Sequence, residues 1–164
     1  MMKIKLLCVF ILLMNSGLLI SCESSKAENE NVKKFEIATV KAVIYEANKV
    51  YGERFTKGDK RFYEEKYVRD ACIMPENIAE ICGRENIKNY YYGSGEKNKL
   101  KITITPKDII GGEEVVVEIG GYELFDETSK SIDKGKFIAT WRQEDGKWKL
   151  HREIWNTDNP KEEK

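Results

Sequence analysis

The 164-residue chain carries no surplus of either charge, since 28 lysines and arginines balance 28 aspartates and glutamates, and it has a single histidine. The balance excludes a basic field of the kind that holds nucleic acid. One histidine and four scattered cysteines do not make a metal-ligand set of the usual spacing, so no metal and no cofactor is expected. No internal repeat divides the chain. No hydrophobic run is long enough to span a membrane, which takes ~20 predominantly apolar residues. The most apolar stretch runs from Leu6 to Met14 and resumes only at Leu18, broken by Asn15, Ser16 and Gly17.

That stretch does have the order of a secretory signal: Lys3 and Lys5, an apolar run, small residues, then Leu19-Ile20-Ser21-Cys22. The last four residues resemble a bacterial lipoprotein lipobox. The resemblance implies that residues 1–21 are a lipoprotein signal peptide and that Cys22 is lipidated. Several acyl chains on one residue anchor stably where one would not. The expected location is the bacterial cell envelope, on the periplasmic or extracellular face, with the lipid membrane as a partner through acylated Cys22. Losing Lys3 and Lys5 leaves the mature chain a formal charge of −2. Cys72 and Cys82 then remain. Export permits a disulfide without requiring one, and Cys72, in an apolar strand-like run, reads as a small buried hydrophobe. Residues 22–34, polar and rich in Glu, Asn, Ser and Lys, read as a lipidated flexible tether, residues 35–160 as one folded domain, and 161–164 as a polar tail.

Within that domain the hydrophobic period changes from helix to strand. Val40, Val43, Ile44, Ala47, Tyr51 and Phe55 recur at three- and four-residue steps, predicting an amphipathic helix that ends near Lys57-Gly58. Asp59 is placed to cap a second short helix through Phe62 and Tyr63. The charged run Lys57 to Lys66 reads as a solvated helix face. Tyr67 to Met74 predicts a strand stopped by Pro75. A third helix opens at Gly83-Arg84-Glu85, carries Ile87, Tyr90 and Tyr91, and closes at Gly93-Ser94-Gly95. From Leu100 onward the pattern is strand: Leu100, Ile102 and Ile104 alternate with polar residues, Val115 to Leu124 follows Gly111-Gly112, and two last strands flank Asp145-Gly146, a type I′ hairpin signal between Trp141 and Trp148. Helices followed by a run of antiparallel strands predict an α+β domain, with three N-terminal helices packed on one face of a curved antiparallel sheet.

Gly58-Asp59, Tyr67 to Ala71, Gly83 to Ile87, Gly120 to Leu124 and above all Asp133-Lys134-Gly135-Lys136 through the Trp141, Asp145-Gly146, Trp148 hairpin to Trp155-Asn156 resemble the nuclear transport factor 2-like superfamily. Within it they resemble the SnoaL-like group called domain of unknown function 4440. The resemblance covers nearly all of residues 35–160. It implies a cone-shaped half-barrel, cystatin-like in fold, whose sheet surrounds a cleft; it does not select a function. Ketosteroid isomerase chemistry needs a carboxylate base, a phenol and a protonated acid. The phenol position falls on Tyr51, but the base position falls near Pro75 and the second acid near Ile138, neither of which transfers a proton. Glu76 is the nearest substitute.

With a two-residue turn at Asp145-Gly146, simple pairing puts Phe137, Ala139, Trp141, Trp148, Leu150, Arg152 and Ile154 on one face. Lys136, Ile138, Thr140, His151, Glu153 and Trp155 share the other. One reading makes the apolar face core and the mixed face solvated; the resemblance favours the mixed face as cleft wall. A bulge would reverse the phase partway. The ligand-contact candidates are therefore Tyr51, Thr140, His151, Glu153 and Trp155, and the catalytic candidates are His151, Glu153 and Tyr51. His151 is a proton carrier if Glu153 tunes it. At helical spacing Tyr51 and the tyrosines 90 to 92 also read as core. Three functions fit: an envelope lipoprotein that binds a small, partly apolar molecule in its cleft, a small-molecule isomerase, lyase or hydrolase, and a homodimeric interaction module that pairs through the sheet face.

Overall fold

The computed structural model describes residues 34–91 and 99–160. The lipobox, the tether up to residue 33, Tyr92, the Gly93-Ser94-Gly95 stop and the 161–164 tail lie outside the described residues. Among those described, no helix is long and apolar enough to cross a membrane.

Helix α1 (Ile37–Thr56) buries Val40, Ile44, Asn48, Tyr51 and Phe55, one stripe at three- and four-residue steps. Val43, expected on that stripe, is 41% exposed; the polar Asn48 takes the inward position instead. Gly58, at φ +62°, closes the helix: its N–H reaches the Phe55 carbonyl and the Asp59 N–H reaches that of Arg54, the paired bonds of a Schellman end. The Asp59 carboxylate then accepts from the Arg61 N–H at 3.1 Å and caps α2 (Lys60–Lys66). Strand β1 (Tyr67–Met74) follows without a loop and stops at Pro75, and α3 (Arg84–Tyr91) comes after β2 (Ile81–Cys82), a two-residue strand that hydropathy does not announce.

Strands β3 (Lys101–Gly111), β4 (Val116–Phe125), β5 (Ser131–Glu144) and β6 (Lys147–Thr157) form an antiparallel meander, and the whole sheet runs β2-β1-β6-β5-β4-β3. The sheet is mixed rather than wholly antiparallel, because β1 lies parallel to β6. α3 and the meander intervene between the two strands, the long crossover that parallel pairing needs. Cys72 and Cys82 are register partners on β1 and β2 and are joined by a disulfide, with Cα atoms 4.1 Å apart. Cys72 is therefore buried and bonded, not a free small hydrophobe. The Glu80 carboxylate lies within 4.8 Å of both sulfurs, which are bonded to each other.

The β5–β6 turn has the expected type I′ form: Asp145 and Gly146 have φ of +53° and +70°, and Glu144 pairs with Lys147. Further along, Trp141 pairs with Leu150 but Thr140 pairs with Arg152, so His151 is an unpaired bulge residue. This corrects the expected faces. Beyond the bulge, Glu153 stands opposite Ala139 and Trp155 opposite Phe137. The concave face thus joins Phe137, Ala139 and Trp141 of β5 to Glu153 and Trp155 of β6, while Ile138 and Ile154 pair on the convex face, each 49% exposed. The core lies between the concave face and the helices, with Val40, Ile44, Tyr67, Ile87, Trp141 and Leu150 among its buried residues.

Two glycines keep the concave face open. A Cβ on Gly120 would stand 2.6 Å from the Phe137 ring, and one on Gly135 would stand 2.7 Å from the Tyr122 ring. Each glycine is the register partner of the ring that lies across it, so both aromatics lie close against the sheet and leave room above.

Candidate functional site

That room is a cavity of about 360 Å³. Helix α1 contributes Tyr51 and Phe55, placed on the same face by their four-residue spacing, and α3 contributes Tyr90 and Tyr91. Ile102 and Ile104 project from β3, and Tyr122 and Leu124 from β4, each pair two residues apart on one side of a strand. Strands β5 and β6 supply Phe137 and Trp155 together with two acids, Asp133 and Glu153. The rings pack on one another: Tyr91 stacks on Trp155 with centroids 6.2 Å apart, and Tyr90 stands 6.5 Å from Trp155.

Glu153 is the electrostatic centre of the cavity. Its Oε2 accepts from the Tyr67 hydroxyl at 2.6 Å. Burial first, and then the Glu153 charge among their neighbours, push the Tyr51, Tyr67 and Tyr91 phenols well above their ordinary value, so all three stay protonated donors. The Tyr51 hydroxyl has no hydrogen-bond partner among the described residues. At the other end, Asp133 accepts from the hydroxyls of Tyr122 at 2.9 Å and Thr157 at 2.5 Å and from the Asn159 amide at 3.2 Å. Below the cavity Glu118, 1% exposed, accepts from the Asn48 amide at 2.6 Å and the Trp141 indole N–H at 2.9 Å. Burial raises its pKa, and those two hydrogen bonds oppose the rise.

Lys66, read from sequence as part of a solvated face, turns inward at the last residue of α2. Its ammonium lies 3.7 Å from the centroid of the Tyr51 ring, 5.2 Å from that of Tyr67 and 5.7 Å from that of Phe62. Burial lowers its pKa, and the charges of Glu153 and Glu118 oppose the fall. No linear pattern marks it, because a helix-terminal lysine followed directly by a strand is inward or outward according to the strand's twist.

The structure brings together Tyr51, Glu153 and Trp155 of the sequence candidates and leaves out Thr140 and His151. The Thr140 hydroxyl, on the side of β5 opposite Ala139 and Trp141, accepts from the Arg152 N–H at 3.1 Å. His151 lies outside the cavity, its Nε2 3.9 Å from Asp70. Its pKa is lowered by burial and by the charges of Arg152 and Arg142, against the pull of Asp70. The His151–Glu153 couple is not assembled, because the bulge breaks the alternation that would put both on one face. Of the isomerase positions, Ile138 is on the convex face and Pro75 is a buried strand stop. Glu76, their nearest substitute, accepts from the Thr157 N–H at 3.1 Å. Beyond the sequence candidates, Asp133, Tyr90 and Tyr91 are cavity residues, and Lys66 and Tyr67 stand behind the wall.

No family model and no curated protein sequence matches the chain. Solved structures do. A protein of Novosphingobium aromaticivorans, described as NTF2-like with a cystatin-like fold, superposes with a TM-score of 0.65 at 16% identity, over 76% of this chain and 86% of that one. A ketosteroid isomerase-like protein of Erwinia carotovora atroseptica gives 0.58 at 16%, over 73% and 96%. A hexachlorocyclohexane dehydrochlorinase of Novosphingobium barchaimii gives 0.59 at 15%, over 74% and 88%. At these identities the likeness is one of fold, and it matches the element order and curved sheet described above. The chain has the nuclear transport factor 2-like, cystatin-like fold.

Proposed function

We propose that the protein is an envelope-anchored lipoprotein that holds a small, partly apolar molecule in the concave cavity. The observation that carries this reading is the wall: aromatic and aliphatic side chains from six elements, with an unpartnered Tyr51 hydroxyl and the Glu153 and Asp133 carboxylates as the few polar groups that orient a guest. The lipobox at Leu19 to Cys22 supports the anchoring, through acylation of Cys22. Native mass spectrometry of the full chain, purified under mild conditions, tests the cavity reading. A retained small molecule that is lost on replacing Tyr51 and Trp155 with alanine supports it; a retained molecule indifferent to both refutes it.

One contact favours a second reading, acid–base catalysis in the SnoaL-like manner. Glu153 faces the cavity while Tyr67 holds one of its oxygens, which leaves the other to take a proton from a bound carbon acid. The neighbours described as ketosteroid isomerase-like and as a dehydrochlorinase are consistent with such chemistry. Deuterium uptake by the retained molecule in D2O, abolished in Glu153→Gln, is the expected sign. The convex face supports a homodimer as well: Met74, Ile154, Ile138 and Ile119 are successive register partners across four strands. Light scattering is expected to show a dimer for the wild type and a monomer for Ile138→Lys.

A further inference from the structure

From the charge and ring content of this cavity we infer that its guest carries a cationic ammonium group, seated against the Glu153 carboxylate and the neighbouring Trp155 ring. The inference rests on the cavity-binding reading and names the chemical class of its ligand.

Two acids line the cavity, Asp133 and Glu153, and neither has an ion-pair partner among the described residues. Several acids elsewhere are paired, among them Glu144 with Arg84 at 2.5 Å and Lys149 at 3.0 Å, Asp59 with Arg54 at 2.9 Å, and Asp158 with Lys136 at 2.6 Å. Among the described residues no basic side chain lines the cavity. The cavity thus presents two carboxylates, with the Lys66 ammonium acting on Glu153 only from behind the wall, and low surrounding polarity strengthens their field.

The walls add the second component. Glu153 and Trp155 project side by side from β6, and Tyr90 and Tyr91 bring two more rings against the same indole. Ring faces carry negative quadrupole potential, and a carboxylate beside such faces is the combination that selects an alkylated ammonium over an uncharged group of the same shape. The protein already uses this chemistry beneath the cavity, where the Lys66 ammonium rests 3.7 Å from the Tyr51 ring centroid with Phe62 and Tyr67 around it and the Glu153 and Glu118 charges acting on it. An anionic guest would meet Glu153 and Asp133 with no cation among the described wall residues to offset them.

Choline and its uncharged carbon isostere 3,3-dimethylbutan-1-ol separate charge from shape, and both dissolve in water well enough to be titrated against the full chain in lipid nanodiscs. The readout is the Trp155 indole N–H resonance, assigned by its loss in Trp155→Phe. The expected result is that choline binds about tenfold or more tightly than the alcohol, and that Glu153→Gln removes most of this preference by weakening choline more than the alcohol. Equal or tighter binding of the alcohol overturns the ammonium inference and leaves the cavity reading standing. No shift of the indole with either probe also overturns it, and the cavity reading is then decided by whether the purified protein retains a molecule that Tyr51→Ala and Trp155→Ala release.

Discussion

Glu118 is the acid most removed from solvent, and its environment shows why a carboxylate is tolerated there: it accepts from two otherwise unpaired buried donors, Asn48 and the Trp141 indole. Glu118→Ala orphans both and is expected to cost about 2–4 kcal/mol in denaturant unfolding. Glu118→Gln, with the Asn48 amide reversed, keeps both partners bonded and is expected to stay within about 1 kcal/mol of wild type at neutral pH. Because burial lifts the folded-state pKa of Glu118 above 4.5, its contribution is fully present below that value and is lost as pH rises through the lifted one. The glutamine variant removes this slope. Glu144 has the opposite sign. Burial raises its pKa, but the Arg69 N–H, Lys149 and Arg84 outweigh burial and hold it at about 2. Its stabilisation is present above pH 4.5 and disappears as pH falls toward 2. Screening by solvent keeps it on the order of 1–2 kcal/mol, and Glu144→Gln is expected to flatten acid unfolding over that interval.

Among the elements, the disulfide between β1 and β2 closes a short loop, with a sequence separation of 10. Reduction, or Cys82→Ser with Cys72→Ser, is expected to lower the unfolding free energy by about 2–3 kcal/mol. Cysteine spacing alone left that bridge open, because it depends on β2, two residues whose pairing is decided by the β1 edge rather than by their own hydropathy. The helices, the caps at Gly58 and Asp59 and the Asp145-Gly146 hairpin were legible because each is specified by neighbours within a few residues. The parallel β1–β6 pairing and the bulge at His151 were not, since both depend on strands distant in sequence. The bulge matters most to the site: one extra residue moved Thr140 and His151 away from the cavity and left Glu153 and Trp155 on it. Gly120→Ala tests the concave packing. Its new methyl would meet the Phe137 ring and the Thr105 carbonyl at 2.6 and 2.9 Å, and a loss of about 1–3 kcal/mol is expected in thermal or denaturant unfolding.

At the scale of the molecule, one sheet serves two different surfaces. Its convex face is rowed with isoleucines, and its concave face carries rings and unpaired acids around about 360 Å³ of space. The candidates Tyr51, Glu153 and Trp155 were visible in sequence as residue types, whereas the inward turn of Lys66 and the meeting of Glu153 and Asp133 on one cavity exist only once the strands are assembled. A void of this kind costs stability in the empty protein, and a bound guest offsets that cost. The measurement that tests it most directly compares native mass spectra and melting temperatures of wild type and Ile104→Trp, which fills the cavity from β3. The variant is expected to melt at the same or a higher temperature and to lose the retained molecule. A variant that keeps the molecule while folded would show that the guest sits elsewhere and would contradict the central claim.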